Sequence, residues 1–117
     1  YPIDRNYAEV SGIITNVLKE NGFEIDECSG MEPHYVSADT PLVQTLLAVY
    51  ADVKGEKGEP IAEGGITYVH NTEGGVAFGA EFPWENNNMH GADEHISIET
   101  LKINLNMYAN AIARLCR

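Results

Sequence analysis

Two histidines five residues apart, His90 and His95, stand with Asp93 and Glu94 in a polar loop that runs from Asn86 to His95. Imidazole and carboxylate are common zinc ligands, and imidazole also carries protons near neutral pH. The spacing is not the i, i+4 pair of an H-E-x-x-H helix, so a self-contained zinc site is not expected. A narrower chemistry fits better: one neutral imidazole, His90, held out by a loop that the following helix fixes, ligating a metal whose other ligands lie elsewhere. Against it stands the plainer reading. A loop histidine before a helix more often faces solvent or bonds a backbone carbonyl, and the two acids need only feed negative charge toward the helix start.

Gly64-Gly65-Ile66-Thr67 poses the same choice. A glycine pair usually marks a tight turn. Glycines also let backbone N–H groups approach a ligand, and the Thr67 hydroxyl beside them suits a small carboxylate. The spacing is neither a P-loop nor a dinucleotide fingerprint. No activated nucleophile is legible. Ser11, Ser29, Ser37 and Ser97 lie outside any G-x-S-x-G context, and His34 sits between Pro33 and Tyr35 with no acid close by in sequence. Cys28 has no adjacent base and reads as an inert core thiol.

Composition excludes several partners. Seven basic against eighteen acidic residues give a net charge of -11, which repels phosphate backbones and anionic lipid heads. Nucleic acid and membrane surfaces are therefore not expected partners. The 117 residues are 44% hydrophobic, one ordinary domain's worth of globular chain. No apolar run approaches the roughly 20 residues needed to cross a bilayer, so a soluble protein is expected. Cys28 and Cys116 form no C-x-x-C pair and read as reduced, partly buried thiols, which favours the cytoplasm.

The elements that must position these residues follow from periodicity. Asn6 and Glu9 form a capping pair ahead of Val10, Ile13, Ile14, Val17 and Leu18, and Asn21-Gly22 ends that helix. Phe23 to Asp26 alternates as a half-exposed strand does. Ser37 to Pro41 opens a second helix with the buried stripe Leu42, Leu46, Val49, Tyr50 and Val53. After the charged loop 54–60, short apolar runs at 60–62, 66–69 and 76–78 are expected as buried strands. The last helix carries Ile98, Leu101, Leu105, Tyr108, Ile112 and Leu115 as its core face, with Ser97 as cap, Glu99 at its positive end and Arg114 and Arg117 at the other.

In order along the chain, Tyr1-Pro2, Pro41 to Leu47, Ala62 to Tyr68, Val76-Ala77-Phe78-Gly79, Phe82-Pro83, Met89 to Glu94 and the amphipathic last helix form a set. That set resembles the C-terminal part of the co-catalytic di-zinc metallopeptidases of the aminoacylase and carnosinase type, most of all the PepV-type (Xaa-His) dipeptidases of bacteria. The resemblance implies an α/β fold: residues 1–37 as the last helix and strand of a ferredoxin-like lid, the dimerisation-type domain, and 38–117 as the C-terminal segment of a zinc-binding α/β catalytic domain. It implies two zincs per full-length chain that activate water to cleave a dipeptide amide. His90 would be one metal ligand, and Gly64, Gly65 and Thr67 would line the substrate pocket. Glu94 matches an acid of the same loop with a structural role.

The matches are incomplete. Where the family turn reads Gly-Gly-Gly-Thr-Tyr-Ala-Arg, this chain has Ile66 for the third glycine and Val69-His70 for Ala-Arg, and Trp84 replaces a glycine after Pro83. The H-x-D motif, the Glu-Glu pair and the other metal ligands are missing, so these residues alone are expected to be an inactive, self-associating fragment. Cleavage of N-acyl amino acids is the neighbouring activity, and a non-catalytic binding or dimerisation module is the alternative of another class.

Overall fold

The computed structural model describes residues 1–82 and 84–116. Three α-helices, α1 (Tyr7–Glu20), α2 (Pro41–Lys54) and α3 (Ile98–Leu115), and one 3-10 turn at Tyr68–Asn71 are joined by irregular chain. The described residues contain no strand, which corrects the α/β expectation. A strand persists only if its N–H and C=O groups find an adjacent strand. None of the four expected segments does so among the described residues. At 66–69 a local bond prevails, because the Thr67 hydroxyl caps the turn that begins at Tyr68. The chain folds as two compact units, residues 1–35 with 64–74, and residues 36–63 with 75–117.

In the first unit, α1 starts as the sequence suggests. The Asn6 side chain accepts from the Glu9 N–H at 2.9 Å and the Glu9 carboxylate accepts from the Asn6 N–H. A second acid, Glu32, accepts from the Tyr7 N–H at 3.0 Å, so the positive end of the helix dipole is served from 25 residues away. Gly22 takes φ +80°, the left-handed value that ends a helix. Gly30 is required by contact, since a Cβ there would stand 2.2 Å from the Tyr7 ring. The Tyr7 hydroxyl lies 3.2 Å from the Cys28 sulfur. Both cysteines are free and exposed, so Cys28 is not the core thiol that its flanking residues suggest. No residue of α1 is buried, and Ile13, Ile14 and Val17 remain exposed.

The second unit holds the core. Thr40 caps α2 with Pro41 in the first turn, and Gly55 closes it at φ +76°, where its N–H donates to the Ala51 carbonyl. Leu46, Val49, Phe82, Met107 and Ala111 are buried together, with Leu42, Tyr50, Val53, Val76, Phe78 and Ile103 packed around them. Phe82 stacks on Trp84 at 4.9 Å, and the Lys54 ammonium lies 4.8 Å and 4.9 Å from the two ring centroids.

Helix α3 turns a different face to this core from the one its apolar residues mark. Thr100, Asn104, Met107 and Ala111 are its buried residues, while Ile98, Leu101, Leu105, Tyr108, Ile112 and Leu115 are all exposed. At 100° per residue the two faces lie about 100° apart around the helix. Polar bonds select the buried one: the Asn104 amide donates to the Ala80 carbonyl at 2.7 Å, and the Thr100 hydroxyl donates to the Glu85 carboxylate. Arg114 pairs with Asp52 of α2 as well as standing at the negative helix end. Arg117 lies outside the described residues.

Candidate functional site

The loop that presents His90 is built from asparagines. The Asn87 side chain accepts from the Met89 N–H at 2.9 Å, the Asn86 side chain accepts from the Asn88 N–H, and the Asn88 amide donates to the Ala92 carbonyl. Backbone bonds close it: Gly91 N–H to Asn88 C=O at 2.7 Å and His95 N–H to Asn87 C=O at 3.0 Å. Asn88, His90 and Asp93 all take positive φ, at 55°, 61° and 56°. Asparagine, aspartate and histidine all visit that left-handed region more readily than most residues other than glycine.

His90 is exposed at the tip of this loop, and His95 turns back, its Nδ1 lying 2.6 Å from the Asp93 carbonyl oxygen. The two histidines thus take different roles. His95 braces the loop through a backbone carbonyl, and the ring of His90 projects from it. Asp93 contributes to the loop through its carbonyl, and the asparagines supply the side-chain bonds.

Behind the loop, Ser97 caps α3, accepting from the Thr100 N–H at 3.0 Å while its own hydroxyl donates to Thr100 Oγ1 at 2.9 Å. Thr100 passes the chain of bonds on to Glu85. A hollow of about 150 Å³ lies here, lined by Ala80, Glu85, Asn86, Asn87, His95, Ile96 and Ser97. Glu85, Thr100 and Asn104 are therefore the residues that seat the loop on the helix, and motif reading does not single them out. A signal is present all the same: Thr100 and Asn104 stand at i, i+4 on one face of the helix, with Met107 and Ala111 continuing that face.

The glycine turn belongs to the first unit and His90 to the second. A Cβ added at Gly64 or Gly65 would meet no other atom within 4 Å, so packing within the chain does not demand glycine at either position. Thr67 uses its oxygen to accept from the Val69 N–H, and its own N–H donates to His70 Nδ1 at 3.2 Å. His70 thereby becomes part of the cap. Its ring lies 5.4 Å from that of His34. No group of three or more His, Cys, Asp or Glu residues able to hold a metal occurs among the described residues. Among the described residues no helix is long and apolar enough to cross a membrane.

The chain is similar over its whole length to proteins named as dipeptidases. It is 43% identical over 117 residues to "Putative dipeptidase YtjP" of Bacillus subtilis. It is 34% identical over 116 residues to "Putative dipeptidase SH1171" of Staphylococcus haemolyticus and to "Putative dipeptidase SAUSA300_1697" of Staphylococcus aureus. These alignments take in 99 to 100% of this chain and 25% of each relative, so the chain spans about a quarter of the length of the curated relatives it matches. No protein-family model matches the chain, and no solved structure does.

Proposed function

We propose that these residues are part of a zinc-dependent dipeptidase of the di-zinc, PepV-like type and are inactive by themselves. The end-to-end similarity to proteins named as dipeptidases carries this reading. Residues 1–37 would close the lid domain, and 38–117 would end the catalytic domain. His90 supports the role of metal ligand because its loop is bonded to itself and to α3 while the imidazole stays exposed. Zinc, when bound, polarises the scissile carbonyl and activates water for amide hydrolysis. The chain's own contribution is positional. The loop bonds hold His90, and the open turn at Gly64 and Gly65, with the Thr67 hydroxyl hydrogen left to donate, receives the free carboxylate of the dipeptide. A reducing, cytoplasmic setting agrees with two free cysteines.

The test is hydrolysis of a dipeptide panel by the full-length protein with zinc supplied, comparing the unaltered enzyme with His90→Ala. Loss of activity and of about one zinc per chain, with the fold retained, is the expected result. Equal activity in both proteins removes His90 from the mechanism. Turnover of N-acyl amino acids but not dipeptides moves the assignment to the deacylases, and well-folded, zinc-loaded protein with neither activity moves it to a binding module. Separated from the rest of the chain, the segment is expected to self-associate through its uncovered apolar side chains, which a purely monomeric sedimentation profile refutes.

A further inference from the structure

Two histidines far apart in sequence, His34 and His70, meet in the first unit, with ring centroids 5.4 Å apart and the rings tilted by 46°. Both are half-buried. Bare ring contact accounts for such a spacing, since aromatic pairs settle at about 4.5–7 Å. A shared metal ion accounts for it as well. A zinc–nitrogen bond of about 2.1 Å puts each ring centre about 3.2 Å from the ion, so two imidazoles at a tetrahedral angle stand about 5.2 Å apart. What favours the ion is the way His70 is held. Its Nδ1 lies 3.2 Å from both the nitrogen and the carbonyl oxygen of Thr67. Metal-binding histidines carry this kind of anchor: one ring N–H donates to a backbone carbonyl, which fixes the ring and leaves the other nitrogen for the ion. With its proton on Nδ1, His70 donates to the Thr67 carbonyl and offers the Nε2 lone pair. The cap uses the other tautomer, in which the Thr67 N–H donates to Nδ1. Passing between the two moves one proton from Nε2 to Nδ1 and leaves the ring neutral.

We infer that His34 and His70 form a two-histidine site for a divalent transition ion, zinc first among them, with water in the remaining positions. Imidazole nitrogen selects zinc, copper or nickel over magnesium and calcium, which prefer oxygen. Only one of the two nitrogens of His34 is needed, so the other is at liberty to be hydrogen-bonded, as is usual at such sites. The net charge of -11 draws cations toward the chain. Two protein ligands make an open site, one that fills and empties with the free ion, unlike the closed four-ligand sites of structural zinc. The ion would tie Pro33-His34-Tyr35 to the turn at Tyr68–Asn71, and so stabilise the first unit in proportion to its free concentration. The inference does not rest on the dipeptidase reading, which gives neither histidine a role.

Cu2+ is the probe, because its pulsed EPR spectrum counts the imidazole nitrogens bound to it. Full-length protein, loaded with zinc and dialysed free of loosely held ion, is titrated with Cu2+. One copper per chain with two imidazole nitrogens is expected, retained in His90→Ala. Its affinity is expected to fall roughly ten-fold or more in His34→Phe, which keeps the ring contact, and in His70→Asn, which keeps an acceptor for the Thr67 N–H. Unchanged affinity in either variant overturns the inference, as does a chain that binds no copper or one whose copper is lost with His90→Ala. Should the variants fold poorly, unaltered protein is modified with diethyl pyrocarbonate with and without Zn2+ and mapped by mass spectrometry. Slower modification of both His34 and His70 in zinc is expected, and equal rates overturn the inference. None of these readouts follows hydrolysis. A protein that binds copper at this pair and cleaves no dipeptide would sink the dipeptidase reading alone, and an active dipeptidase without such binding would sink this inference alone.

Discussion

Helices α2 and α3 carry apolar residues at the same spacing and meet opposite fates. In α2 the stripe from Leu42 to Val53 is buried or half-buried, with Val49 fully so. In α3 the stripe from Ile98 to Leu115 is exposed, and a mixed face of Thr100, Asn104, Met107 and Ala111 takes its place in the core. The difference lies in what competes for each helix. Apolar burial decides the rotation of α2. Two side-chain bonds, to Ala80 and to Glu85, hold α3, and leaving those buried groups unpaired would cost about 1–3 kcal/mol each.

That contrast can be broken experimentally. The largest effect is expected from Met107→Ala, which removes a side chain only 1% exposed and should cost about 2–5 kcal/mol in urea unfolding. A cost below about 1 kcal/mol would mean that the mixed face of α3 is not the core. Next comes Ser97→Ala, which removes the α3 cap and its bond to Thr100 and should cost about 1 kcal/mol. Leu105→Ser, on the exposed stripe, should change the stability of the isolated segment by less than about 0.5 kcal/mol while reducing its self-association. A large destabilisation there would restore the face that periodicity marks.

The smallest effect concerns Tyr50 of α2. Burial first, then the Glu56 carboxylate that accepts from its hydroxyl, pushes its phenol above the ordinary value of about 10. The folded form therefore holds its proton more tightly than the unfolded chain does. Its contribution is complete below about pH 10 and is lost as pH rises through the raised folded value. Glu56→Gln should lower the spectrophotometric Tyr50 midpoint, and no change would remove Glu56 as a cause.

Sequence is most informative where structure is local. Helix existence, the Asn6–Glu9 capping pair, the Thr40-Pro41 start, the Gly55 stop and the Ser97 cap all depend on residues within a few positions of one another. Strands are a different matter: Ile66 to Val69 and Val76 to Phe78 have β-type residues but no adjacent chain to bond, and pairing is a non-local condition. The rotation of α3 escapes periodicity for a similar reason, since its determinants, Ala80 and Glu85, lie 24 and 15 residues from their partners. At the candidate site the loop and His90's place on it are legible. The asparagine scaffold and the bracing role of His95 are not, because both work through backbone carbonyls and N–H groups that a side-chain motif does not encode.

The stack of Phe82 on Trp84 beneath the Lys54 ammonium gives the molecule a built-in optical gauge. Trp84 is the chain's one tryptophan, so its emission comes from a single place, the junction where the end of α2 meets the start of the segment leading to the histidine loop. Any event that lifts that segment off the buried Phe82 ring changes the indole's surroundings at once. The seating of the loop can therefore be followed in real time, without a label, by the colour of one residue's light.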